Sequence, residues 1–261
     1  MSVDPYAAPK SRVADVPHAS PDGVFIAQGH GVATGNGWSW IADAWEMFKG
    51  QKGTWIGLFV ILAVILIVLN ILPLVGPILL ILLSPVLYGG VMLGCEAQRS
   101  GEKLEIGHLF AGFRSKTSRL IGVGAASLLA FVGVFVVIMV IFGADMARIM
   151  MGTQPSPAQV QMMGLRFMLV PLIILALGVP IYMAVWFATP LIVLNDLGVS
   201  DALKASFFAC LKNILPFLVF GVIFFLLAIV ATIPLGLGWL MLGPVLLGTI
   251  YTGYRDIFYE R

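Results

Sequence analysis

The chain has 261 residues, of which 60% are hydrophobic and 11% charged, and its formal net charge is +2. Soluble domains carry about 45–50% apolar and about 25% charged residues, so this excess of apolar surface is too large for a soluble core to hide. Four stretches contain no Asp, Glu, Lys or Arg: Gly53 to Cys95, Leu120 to Ala144, Phe167 to Asn195 and Asn213 to Tyr254, of 43, 25, 29 and 42 residues. They make up over half of the chain, which marks a polytopic membrane protein.

Residues 1–37 are rich in Pro, Ala, Gly and Asp and hold no long apolar run, so a flexible cytoplasmic tail is expected there, with no cleavable signal peptide ahead of the first span. The glycine-rich run Gly29 to Gly37 superficially resembles a phosphate loop. No strand precedes it and its lysine is missing, so it reads as a linker. Residues 38–261 form the expected membrane domain.

Each long uncharged stretch is interrupted near its middle by a breaker cluster, Asn70 to Pro77 in the first and Thr232 to Gly238 in the last. One helix of roughly 40 residues would be about 60 Å long, twice the hydrocarbon thickness. Each cluster is therefore predicted to be a turn, and each stretch a helical hairpin. Six spans follow, near Trp55 to Ile71, Pro77 to Leu93, Leu120 to Phe142, Met168 to Leu194, Ile214 to Ile233 and Trp239 to Tyr254. The runs are apolar at every position, which excludes the alternation of a β-barrel.

Six spans put both termini on one side, together with 13 of the 15 Lys and Arg residues. Only Arg148 and Arg166 fall opposite, so the positive-inside rule predicts cytoplasmic termini in a bacterial inner membrane. Pulling the basic segments across instead would cost about 2.5–3.5 kcal/mol per charge.

A threefold repeat is expected, over about 38–99, 104–196 and 197–259. Each unit opens with a short amphipathic segment (Ile41 to Lys49, Ile106 to Arg114, Val199 to Phe207) suited to an interfacial helix. Each closes with a small residue and a proline: Ser84-Pro85, Thr189-Pro190 and Gly243-Pro244. The fold class predicted is an all-α bundle of six transmembrane helices built from three hairpin-like repeats.

Proline in a transmembrane helix frees a carbonyl on the preceding turn, and a neighbouring hydroxyl can meet it. Ser84, Pro85, Thr189, Pro190 and Pro244 are thus candidates for helix kinks or cavity walls. The span holding Pro171, Pro180 and Pro190 should be the least regular. Basic residues between the second and third spans, Arg114, Lys116 and Arg119, are candidates for docking a membrane partner or anionic headgroups at the cytoplasmic side, besides anchoring helix ends.

No ionisable group falls near a predicted midplane, which argues against a carboxylate proton relay. His18, His30 and His108 are scattered, and no HExxH, CxxC or GxSxG arrangement occurs, so no catalytic residue, cofactor or metal is expected. Cys95 and Cys210 read as apolar packing. Met146, Met150, Met151, Met162 and Met163 invite a Cu(I) site, but methionine also fills a membrane-hugging loop, and packing is the preferred reading. No nucleic-acid partner is expected.

The residues Gly37-Trp38-Ser39-Trp40-Ile41 through Phe48, Leu83-Ser84-Pro85-Val86-Leu87-Tyr88-Gly89-Gly90 and Leu109-Phe110-Ala111-Gly112-Phe113 resemble a family of uncharacterised bacterial six-helix inner-membrane proteins. That family is distantly similar to the membrane domain associated with glycerophosphodiester phosphodiesterases. The resemblance covers roughly residues 37–259 and implies a six-helix inner-membrane fold without an established activity. A phosphodiesterase domain would need some 200 further polar residues, so that activity is not implied. The expected function is a non-enzymatic membrane protein that organises or assists a partner; the alternative is a transporter or lipid or small-solute permease using a cavity between the repeats.

Overall fold

A computed structural model of the chain describes residues 23–73, 75–152 and 156–260. Ten α-helices dominate the described residues. After the short strand β1 (Val24–Phe25) come α1 (Asn36–Gly50), α2 (Lys52–Ile71) and α3 (Val75–Arg99), then a 3-10 helix over Ile106–Phe113. The second half holds α4 (Thr117–Met150), α5 (Pro157–Phe167), α6 (Leu169–Trp186), α7 (Ala188–Asn195), α8 (Val199–Lys212), α9 (Ile214–Thr232), α10 (Trp239–Phe258) and the strand β2 (Tyr259–Glu260).

Helix α1 buries Gly37, Trp40, Ile41, Ala44 and Phe48, a stripe at three- and four-residue spacing that a 3.6-residue period places on one face. That face lies against α10 and α9. Around it, Trp55, Val86, Val91, Cys95, Leu109, Leu120, Phe187, Leu191, Tyr254 and Phe258 form the core. Helices α4, α6 and α9, in contrast, expose Val140, Leu175, Phe225 and many similar side chains. An apolar surface of that extent is stable only against hydrocarbon.

Among the described residues five segments, not six, are long and apolar enough to cross a membrane: Lys52–Ile71, Val75–Arg99, Thr117–Asp145, Pro157–Asn195 and Ile214–Thr232. The predicted sixth, Trp239 to Tyr254, falls in α10, whose 20 residues include three glycines, two threonines, two tyrosines and a proline. Twelve of them are buried in the bundle. Absence of charge does not separate a lipid-facing helix from one packed among its neighbours, and α10 is the second kind.

No threefold hairpin repeat is evident either. The first amphipathic segment lies in a 15-residue α-helix, the second is an eight-residue 3-10 helix and the third opens a 14-residue α-helix. The closing elements differ as well: α3 is continuous through Pro85, the middle one is broken at Phe187 into α6 and α7, and α10 is buried. The shared small residue beside proline answers a local packing demand in each helix and does not mark a common hairpin.

Of the predicted flexible tail, residues 1–22 lie outside the described residues. Residues 23–35 strap across the bundle end. Val24 and Phe25 pair antiparallel with Glu260 and Tyr259, and the His30 N–H donates to Ile257 O at 2.9 Å. Buried Asn213 accepts from Val32 N at 2.8 Å and donates to His30 O and Ala209 O, both at 2.9 Å. These bonds satisfy backbone groups that a packed strap would otherwise strand.

Candidate functional site

A cavity of about 400 Å³ lies between α3, α4, α6, α7 and α10, with Leu66 of α2 also on its wall. Four predicted candidates, Ser84, Pro85, Thr189 and Pro190, meet on its wall. Pro244 is buried within α10, but the α10 residues facing the cavity are Leu246, Leu247 and Ile250.

Local chemistry explains each wall. Pro85 has no N–H to give to the carbonyl four residues back, that of Ile81, and the Ser84 hydroxyl lies 3.5 Å from this oxygen. Ser127 donates to Val123 O at 2.8 Å within α4. With its proton so placed, the Ser127 hydroxyl offers the cavity acceptor lone pairs. Thr189 is 6% exposed and lines the cavity, and no hydrogen bond to another described side chain or backbone group uses its hydroxyl. Tyr88 and Tyr182 bring two phenols to the same space, the latter ring edge-on to Phe131 at 6.0 Å. The rest of the wall is aliphatic and aromatic.

The irregular middle segment breaks for a reason that proline spacing alone does not reveal. Pro180 lies inside α6 without ending it. At Phe187 the ladder would require its N–H to reach Met183 O. The Ser206 hydroxyl of α8 stands between them instead, accepting from Phe187 N at 2.9 Å and donating to Met183 O at 2.7 Å. An inserted side chain of this kind is a recognised cause of helix kinks. Ser206 lies in the amphipathic segment identified from sequence; its partners are 19 and 23 residues away, so spacing gives no sign of this role.

The basic candidates occupy a different place. Lys116 and Arg119 both pair with the carboxylate of Asp196, and Arg119 also donates to Asp196 O at 2.9 Å. The pair ties the start of α4 to the end of α7. Hydrogen bonds from Lys116 and Arg119 hold the exposed Asp196 carboxyl below its usual range. Arg114 is exposed at the end of the 3-10 helix.

Sequence reasoning missed a polar network at the same end. Tyr251 donates to Glu96 at 2.6 Å and accepts from Arg99 at 3.0 Å. Tyr254 bonds Asn195, which donates to Tyr259 at 2.9 Å. Asp256 accepts from Asn36 at 2.9 Å and from Trp40 at 2.8 Å. Six polar side chains in the last three turns of α10, Thr249, Tyr251, Thr252, Tyr254, Arg255 and Asp256, were the available signal. Reading that stretch as a membrane span obscured it. Among the described residues no group of three or more His, Cys, Asp and Glu side chains is arranged to hold a metal.

An all-α bundle with several long apolar helices defines a multi-pass membrane protein. Over 205 residues the chain is 28% identical to a protein of Burkholderia thailandensis described as a probable inner membrane protein, the match covering 76% of this chain and 75% of that one. No protein-family model and no solved structure matches. The chain is thus a multi-pass inner-membrane protein distantly related to a bacterial one. The comparisons offer nothing that links it to glycerophosphodiester phosphodiesterases.

Proposed function

We propose that the protein is a non-enzymatic handler of an apolar or amphiphilic molecule, a permease or carrier of a lipid or lipid-like solute, and that the ligand sits in the cavity between α3, α4, α6, α7 and α10. The carrying observation is the wall itself. It combines an apolar lining with the hydroxyls of Ser84, Tyr88, Ser127, Tyr182 and Thr189, and no carboxylate, amine, guanidinium or imidazole of the described residues lines it. A volume of about 400 Å³ lies in the range of small-molecule sites, which pair mostly apolar walls with a few placed polar groups. A charged solute would have to shed its hydration there without a counter-charge, so the chemistry favours an uncharged or acyl-like ligand.

The partner-organising role draws less support from the geometry. Two of its three basic candidates, Lys116 and Arg119, spend their charge on Asp196. In our reading the end bearing β1 and β2 faces the cytoplasm, on the strength of the basic residues gathered near the termini.

Native mass spectrometry of the protein released from nanodiscs tests the proposal. Wild type should retain a bound lipid or solute. Ser127→Phe, which fills the cavity, should lose it, and Leu129→Phe, at a position 73% exposed, should keep it. Equal retention in all three proteins, or none in wild type, would overturn the assignment.

A further inference from the structure

At the end of the bundle away from β1 and β2, a second cavity of about 640 Å³ lies between the last turns of α4 and helix α5. Asp145 is 4% exposed and sits behind two guanidinium groups. Arg166 donates to it at 3.0 Å, and Arg148 stands 3.9 Å from its other oxygen. Both arginine side chains remain open, 60% exposed at Arg148 and 49% at Arg166. One carboxylate thus orients two cations and neutralises one of them. The pocket keeps a surplus positive charge and unused N–H donors, five being available on each guanidinium.

Two features decide what this charge is for. The pocket wall also includes Ile149, Met162 and Met163, so the two methionines read from sequence as packing or copper candidates stand beside the arginines as an apolar wall. Around the pocket the surface is hydrocarbon-like, with Met150 88%, Met168 72% and Leu165 57% exposed. A positive pocket at the rim of an apolar belt matches a molecule with an anionic head and an apolar stem. Guanidinium binds phosphate oxygens in a planar fork, while methionine adapts to an acyl stem.

Helix α5 presents Arg166 on a firm support. Ser156 N–H donates to Gln159 Oε1 at 2.8 Å and Gln159 N–H donates to Ser156 Oγ at 3.4 Å, a reciprocal cap that fixes the start of the helix. We propose that the Arg148–Arg166 pocket seats the phosphate of an anionic phospholipid headgroup. The site stands apart from the intramembrane cavity and does not depend on its function.

The test uses the full chain in nanodiscs of phosphatidylcholine doped with phosphatidylglycerol, with lipid retention read by native mass spectrometry. Wild type should retain phosphatidylglycerol over phosphatidylcholine. Arg148→Gln, which leaves the Arg166–Asp145 bond in place, should lower that preference on the order of tenfold, the worth of one charge-assisted hydrogen bond. Arg148→Gln/Arg166→Gln should abolish it, and circular dichroism on both variants checks that the fold is intact. Unchanged preference in folded Arg148→Gln would overturn the proposal. Displacement of the lipid by inorganic phosphate alone would mark a free-anion site and would equally overturn the assignment to a lipid.

Discussion

Ser206 carries more of the architecture than its size suggests, because one hydroxyl satisfies both sides of the gap at Phe187. Ser206→Ala should leave Met183 O without its donor and the Phe187 N–H with only its contact to Val185 O, at a cost of about 1–3 kcal/mol, measured as a lower melting temperature in detergent; an unchanged melt would show that the break has another support. Cys210, on the same helix, has its thiol pushed up to about 12 by burial. Native protein should therefore resist maleimide at mildly alkaline pH and react once unfolded. Asp196 gives a pH signature of known sign. Its carboxyl is depressed in the folded state by Lys116 and Arg119, so its stabilising effect is complete above the unfolded value, about 3.9, and fades as pH falls through the folded one. Acidification should lower the melting temperature of wild type more than that of Asp196→Asn. The Ser84-Pro85 pairing was legible because a freed carbonyl and its hydroxyl are neighbours in the chain. The union of Lys116 with Asp196 was not, since the partners lie 80 residues apart and charge alone does not name a counter-ion.

Packing between elements rests on places where no side chain fits. The 3-10 helix lies against α3 so closely that a Cβ on Gly112 would be 2.0 Å from Val86 O and one on Gly90 would be 2.3 Å from His108 O. Backbone cannot yield as a flexible side chain can, so Gly112→Ala should destabilise by about 1–3 kcal/mol, read as a lower melting temperature with helix content retained. The apolar segments were legible as stretches free of charge. Their division between lipid and protein was not, because α9 and α10 share one uncharged run while their surroundings differ. Three residues are buried in α9 and twelve in α10. The glycines, threonines and tyrosines of α10 suit a helix that makes hydrogen bonds and close contacts, and in retrospect they carry that distinction.

Across the whole molecule, the packed end and the cavity-bearing part divide the work. The packed end holds the strap, the Asp196 clamp and the Tyr251 network; further along lies the cavity, walled in part by α4 and α6, which face hydrocarbon on their other sides. A cavity walled by apolar side chains and by hydroxyls with unspent capacity is suited to receive a molecule from the bilayer itself. Photo-crosslinking in nanodiscs with a phospholipid bearing a diazirine in its acyl chain tests this most directly, with adducts mapped by peptide mass spectrometry. The account predicts labelling at the inward positions Ser127, Phe131 and Thr189, lost in Ser127→Phe, besides labelling of the exposed faces of α4 and α9. Adducts confined to exposed positions such as Leu129, Val140 and Phe225 would contradict it.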